Sequence, residues 1–226
     1  MKTASFNYFY GKKWKAVVLF LSLLVGTLPV LAQNTDGGAS PIMQKLAAKY
    51  KAFTTMQIDY TYKAVKEKQT LSATTGKALI KGDKYRITFS DQIFFCDGTS
   101  MWNYQKSTNE CSIYNYEESD DDALNPAKMI ANWQKEFTAK LIREDVEKNK
   151  AVVIIDLTPK TGQSYYKIRL VIDKNKEEIL RTSIYEKDNT VYTYYFDTFV
   201  TNAAISEGTF KFDPAQYPGV EINDMR

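Results

Sequence analysis

Two hydrophobic periods divide the chain. Between Pro41 and Phe53 the apolar residues recur at helical spacing, with Ile42, Met43, Leu46, Tyr50 and Phe53 on one face. Ser40-Pro41 reads as a capping hydroxyl followed by proline at the first helical position. From Met56 the period changes to two. Met56, Ile58, Tyr60 and Tyr62 alternate with Gln57, Asp59, Thr61 and Lys63, the pattern of a strand with one buried face. A polar turn at Lys66–Thr70 precedes a second strand near residues 71–81. Gly82-Asp83 makes a tight connection to a third, marked by Tyr85, Ile87 and Phe89.

The run Ser90–Glu118 then places three aromatic and β-branched segments around two turn signals, Asp97-Gly98-Thr99 and Gln105–Glu110. That is an antiparallel meander. Asn125-Pro126 repeats the cap-plus-proline start, and Ala127, Met129, Ile130, Trp133 and Phe137 give a second apolar helix face. Further strands are expected at Ala151–Leu157, Tyr165–Ile172, Ile179–Tyr185, Thr190–Val200 and Thr209–Phe212, with an irregular tail over 213–226. Neither a repeat nor an internal linker shows, so residues 40–226 read as one domain.

The amino end reads differently. Lys2, Lys12, Lys13 and Lys15 precede an apolar run from Ala16 to Leu28, and Val30-Leu31-Ala32 offers small residues for cleavage after Ala32. Residues 1–32 are expected to be a signal peptide and 33–39 a flexible lead-in, giving an exported protein. This changes the charge. Removing those four lysines from the 30 basic residues leaves 26 against 27 acidic ones, a net of −1. No basic patch argues for nucleic acid. The acidic stretch Glu117–Asp122 lacks the glycine and spaced carboxylates of a calcium loop.

Cys96 and Cys111 are the only cysteines. They fall at opposite ends of the strand that runs between them, roughly 17 Å apart for a strand of about five residues, so two unpaired, buried thiols are expected. The chain has no histidine. Histidine-based triads and zinc sites are excluded as normally built. Phosphate loops, dinucleotide fingerprints and nucleophile elbows are also missing. The reading is a non-enzyme without metal or cofactor.

About ten antiparallel strands with two amphipathic helices imply a strongly curved sheet covered by helices. The fold class is mainly β. An apolar interior under a helical cover suits an acyl chain: a chain of about 16 carbons gains on the order of 12 kcal/mol from burial before entropy and cavity costs. The candidate lining is Met43, Leu46, Ile58, Tyr60, Tyr62, Ile87, Phe89, Trp102, Tyr104, Met129, Ile130 and Trp133. Apolar residues on such faces more often serve as plain core, and Trp102 and Tyr104 weigh that way.

Several segments, in order, resemble the LolA-like family of periplasmic outer-membrane lipoprotein carriers. They are Phe53–Ile58 entering the first strand, Gly76–Lys81 and Tyr85–Ile87 around a tight turn, and above all Phe95-Cys96-Asp97-Gly98-Thr99-Ser100-Met101-Trp102-Asn103-Tyr104. Pro126–Trp133 then stands where the family has its covering helix, and Phe210–Phe212 with Pro218–Ile222 resembles its ending. The resemblance implies an incomplete antiparallel β-barrel with a helical lid. It also implies a periplasmic carrier, expected as a monomer, that shields the acyl chains of lipoproteins between inner and outer membrane. Its partners would be an inner-membrane ABC-type release complex and an outer-membrane acceptor. One departure concerns the turn after Gly76–Lys81, where well-studied members carry an arginine that helps hold the lid. Here it is Gly82-Asp83, and Lys81 is the candidate substitute for lid and handover. A lipid- or lipoprotein-sensing module of the same fold, and a carrier of another lipid, stay open as alternatives.

Overall fold

Tight turns decide how the alternating segments fold back on one another. The computed structural model describes residues 36–116 and 126–226. The signal segment, residues 33–35 of the lead-in, the acidic stretch Glu117–Asp122 and the Asn125 cap lie outside the described residues. Helix α1 (Ala39–Lys51) leads into β1 (Met56–Lys66) and β2 (Gln69–Lys81). Glu67 and Lys68 join these two strands, both at positive φ, 49° and 69°. A two-residue loop of that hand matches the twist of the strands it connects. Next come β3 (Lys84–Phe89), β4 (Gln92–Cys96), β5 (Ser100–Gln105) and β6 (Glu110–Asn115). In the Asp97-Gly98 turn the Asp97 carboxylate accepts from the backbone N–H groups of Thr99 and Ser100, at 3.0 and 2.9 Å.

After α2 (Pro126–Ala131) and α3 (Trp133–Glu136) the chain runs through β7 (Phe137–Glu147), β8 (Lys150–Pro159), β9 (Tyr165–Asp173), β10 (Glu178–Glu186) and β11 (Thr190–Thr201). Two 3-10 turns, Glu207–Phe210 and Pro214–Gln216, precede β12 (Glu221–Asp224). Among the described residues these twelve strands form one sheet, ordered β12-β6-β5-β4-β3-β2-β1-β11-β10-β9-β8-β7. Neighbours pair antiparallel except β12, which lies parallel to β6. The outermost strands, β7 and β12, do not pair with each other. The sheet therefore curves without closing, which is the incomplete barrel expected from the sequence. Register shifts at Asp59/Tyr60 and Ala64/Val65 in β1 and at Leu141/Arg143 in β7 add local twist.

Several boundaries correct the sequence reading. β7 was not anticipated, because only its first half alternates cleanly. Phe137 and Ala139 are buried, the bulge then breaks the period, and Arg143–Val146 is exposed. Such charge is expected at the rim of a sheet. Phe137 opens this strand instead of closing the helix. Thr209–Phe212 is not a strand, since the chain there makes a 3-10 turn, and the tail expected to be irregular contributes β12. Ser40 does not cap α1. The helix starts at Ala39, two residues before Pro41, after Gly38, and Asp36 is the acceptor for its first amides. Residues 36–38 of the lead-in thus form a bonded turn.

The strands have two different faces. One face carries Ile58, Tyr60 and Tyr62 of β1, Ile80 of β2, Tyr85 and Ile87 of β3, Ile155 and Leu157 of β8, and Leu170 of β9, all in one buried cluster with α1, α2 and α3. Strands so distant in the sheet share a cluster only because the sheet bends around it, so this is the concave face. The opposite face is covered near β4–β6 by the C-terminal segment. There Phe212 joins Ile93, Phe95, Trp102, Tyr104, Cys111 and Ile113.

Gly76 is required where β1, β2 and β3 meet on the concave face. Tyr60 lies across it and donates its hydroxyl to the Thr88 carbonyl at 3.0 Å. A Cβ at Gly76 would stand 2.3 Å from the Tyr60 ring and 2.6 Å from that carbonyl. Gly76→Ala is expected to destabilise the fold by about 1–3 kcal/mol, lowering the melting temperature by roughly 2–4 °C for each kcal/mol. Tyr60→Leu in the same chain should make the combined loss smaller than the sum of the single losses, read by thermal denaturation of all four proteins.

Candidate functional site: an apolar interior under three helices

Helix α1 spans the concave face and is fastened at both ends. At its start, Asp36 Oδ1 accepts from Gly38 N at 2.8 Å and Oδ2 from Ser40 N at 3.1 Å. The Asp36 carbonyl accepts from Leu141 N of β7 at 2.8 Å, tying the helix to the sheet's outer strand. These bonds hold the Asp36 carboxyl below its ordinary range, the contact with Ser40 first among them. At its end, Tyr50 Oη accepts from Ile179 N of β10 at 3.2 Å, and Lys49 meets Glu178 at 3.5 Å. Burial pushes the Tyr50 hydroxyl well above the usual phenol range. The Tyr50 ring packs against Phe53 and Phe199, with centroids 5.5 and 5.6 Å away.

Between these fastenings the helix presents Met43 and Leu46 to the sheet, both fully buried. α2 packs alongside α1. Ile130 of α2 and Trp133 of α3 enter the same cluster, and Met129 packs partly buried against it. From the sheet come Ile58, Tyr60, Tyr62 and Ile87, with Phe89 half-buried. The sequence-derived lining is therefore brought together, with two exceptions. Trp102 and Tyr104 lie on the opposite face beneath Phe212 and Tyr217. β5 alternates, and it is Met101 that points inward.

β11 adds lining that the sequence did not reveal. Tyr192, Tyr194, Phe196 and Phe199 pack against the interior. Tyr194 stands 5.2 Å from Tyr62 and 5.9 Å from Tyr60, and Phe89 meets Tyr62 edge-on at 4.7 Å. Period-two reasoning could not choose a face there, because Val191–Phe196 is aromatic or β-branched at every position. The alternating partners on β1 carry the usable signal.

The side chains of the interior cluster are buried against one another. A cleft of about 170 Å³ opens where α1 ends. Its lining includes Tyr50, Phe53, Met56, Ile80, Ala131 and the Gly82-Asp83 turn. A small-molecule pocket occupies roughly 300–1,000 Å³, so the cleft is a mouth and not a chamber. Lodging an acyl chain requires outward movement of the helices.

Lys81 does not reach the helices. It pairs with Glu207 of the C-terminal segment, and Lys84 joins the same carboxylate at 2.7 Å. The bonds from Lys81 and then Lys84 pull the Glu207 carboxyl down to about 2. Cys96 and Cys111 are buried and not bonded to each other, as expected, but for a different reason. Cys96 belongs to the concave cluster and Cys111 to the opposite one, so the sheet lies between them. Burial raises the Cys111 thiol to about 11.

A family model described as outer membrane lipoprotein carrier protein LolA matches residues 51–213. An uncharacterized protein of Methanocaldococcus jannaschii is 23% identical over 205 residues, covering 90% of this chain. The chain spans 59% of that relative's length. The crystal structure of an uncharacterized conserved protein from Thermus thermophilus superposes with a TM-score of 0.56 at 12% identity, covering 82% of this chain and 99% of that one. A LolA superfamily protein from Nitrosomonas europaea gives 0.43 at 12% identity, over 77% of this chain and 97% of that one. The Thermus likeness bears on the fold.

Two outcomes follow from the geometry. Lys81→Ala is expected to leave acyl binding within about twofold of wild type, since Lys81 faces the C-terminal segment and exposed pairs contribute little; fluorescence titration with a dansylated fatty acid reads this. Glu207, Asp188 and Asp224 are each lowered to about 2 by lysine or arginine bonds. Depressed carboxyls stabilise the fold above their unfolded values and lose that effect as pH falls through the folded ones. Denaturant midpoints should therefore decline from about pH 4.5 towards 2, and stay level between about pH 6 and 7, where a histidine would titrate.

Proposed function

The chain belongs to the LolA family of outer membrane lipoprotein carrier proteins, and on that premise we propose that it carries lipid-modified proteins through the periplasm with their acyl chains lodged between the concave face and helices α1–α3. The observation that supports this most is the division of labour in α1. Its polar bonds are confined to its two ends, while the span between them contributes apolar side chains to the interior. Cargo methylenes can replace Met43 and Leu46 as cover without stranding a buried polar group along that span. Each methylene buried gains about 0.8 kcal/mol, and each hydrogen bond released at the helix ends costs on the order of 1 kcal/mol.

In this reading the protein performs no chemical step. An inner-membrane ABC-type complex loads it and an outer-membrane acceptor unloads it. The mouth beside Gly82-Asp83 has no arginine to latch the helices, so the fastenings at Asp36 and Tyr50 take over that role. Handover then depends on partner contacts and not on a proton.

Native mass spectra of the protein with one lipoprotein, in lipidated and unlipidated forms, test the reading. A complex with the lipidated form alone is expected. Equal binding of both forms would point to a protein-recognition module, and binding of neither would reject lipoprotein cargo in favour of another lipid or a signalling role. Ala131→Trp fills the mouth and should weaken dansylated fatty acid binding at least tenfold with little change in melting temperature.

A further inference from the structure

Arg86 is the exception among the arginines of the described residues. Arg143, Arg169, Arg181 and Arg226 each pair with a carboxylate, at 3.0, 2.6, 3.1 and 2.6 Å. Arg86 has no carboxylate partner and no hydrogen-bond acceptor among those residues. It sits on β3 between the inward-facing Tyr85 and Ile87, so it projects from the convex face. There its guanidinium lies 5.2 Å from the centroid of the Phe95 ring. Stacking of this kind occupies the face of the guanidinium plane. Its N–H donors have no acceptor among the described residues.

Those donors belong to a cleft of about 600 Å³ between β3–β4 and the C-terminal segment. This volume lies within the roughly 300–1,000 Å³ of small-molecule sites, unlike the mouth on the concave side. Phe95, Phe212 and Tyr217 supply its apolar wall, with Phe212 and Tyr217 stacked at 4.7 Å and 17°. Lys211 also lines it and meets Asp97 at 3.6 Å. Asp213 is the acidic residue of the lining, but its oxygens accept from Ala215 N and Gln216 Nε2, both at 3.1 Å. The cleft thus combines an uncommitted planar cation, a second cation and an aromatic wall.

We propose that this convex-face cleft is a binding site for a small organic anion, a carboxylate or phosphate carried on an apolar body, with Arg86 gripping the anion and Phe95, Phe212 and Tyr217 flanking the body. A guanidinium fork matches two oxygens of either anion at once. The site stands apart from the acyl interior and does not depend on the carrier reading. The same chemistry is offered by a dispersed metabolite or by a lipid head group.

The test is an amide NMR titration of the full-length protein with benzoate and phenyl phosphate, using benzyl alcohol as the neutral control. Saturable shifts centred on Phe95 and Tyr217 are expected for at least one anion, with benzyl alcohol at least tenfold weaker. Arg86→Gln should weaken the anion at least tenfold. Arg86→Lys, which keeps the charge but loses the fork, should fall between. Both variants should keep the melting temperature and amide spectrum of the wild type away from the cleft, which shows that they are folded. An Arg86-dependent response to phosphatidylglycerol vesicles in place of the dispersed probes would assign the anion to a lipid head group. No saturable response to any anionic probe, or unchanged affinity in Arg86→Gln, would overturn the proposal. Equal binding of benzyl alcohol would overturn it as well.

Discussion

A sheet that bends but never closes has an apolar concave face without a partner of its own, and the rest of this structure follows from covering it. β7 and β12 end the sheet without meeting. The face between them would meet water were it not for α1, α2 and α3. These helices are short, and short helices owe their stability to the face they bury. Sheet and helices therefore depend on each other through the same buried cluster. The cover is fastened by polar bonds at the two ends of α1 and packed by apolar contacts between them. On the proposed function, that arrangement lets an acyl chain take the place of the helices as cover.

The convex face solves a different problem. Near β4–β6 it carries aromatic residues that a free sheet would expose. The C-terminal segment lies over them, with Phe212 against Phe95 and Tyr104 at 5.8 and 5.6 Å. Lys81 and Lys84 hold the same segment through Glu207. The residue expected to serve the lid thus serves the opposite side of the sheet. The segment does not seal that side completely, and the opening it leaves contains Arg86, which has no carboxylate partner among the described residues.

Much of this was legible in the chain. The helix period up to Tyr50, the change to period two at Met56 and the Asp97-Gly98 turn each marked their element, although the helix ends at Lys51 and leaves Phe53 outside it. The inward face of β1 followed directly from alternation, since Ile58, Tyr60 and Tyr62 are buried together. Legibility failed where the local pattern carried no face. β11 is aromatic on both sides, so its part in the interior emerges only from its register with β1, where Tyr194 sits opposite Tyr62. In β5 alternation was visible, but not which half pointed inward, and Trp102 and Tyr104 fell on the outer face. β7 was hidden by its bulge and its charged outer half. Arg86 looked like an ordinary strand residue, because the lack of a carboxylate partner among the described residues is a property of three-dimensional space and not of sequence.

Cover exchange is the central claim, and amide hydrogen exchange along α1, with and without a lipidated lipoprotein, tests it most directly. The account predicts that cargo speeds exchange in residues 39–51 while β1, β8 and β9 stay protected, because the helix leaves its seat and the sheet does not. Bound cargo with α1 exchange unchanged would contradict it, and would mean that the acyl chain lies somewhere other than beneath the helices.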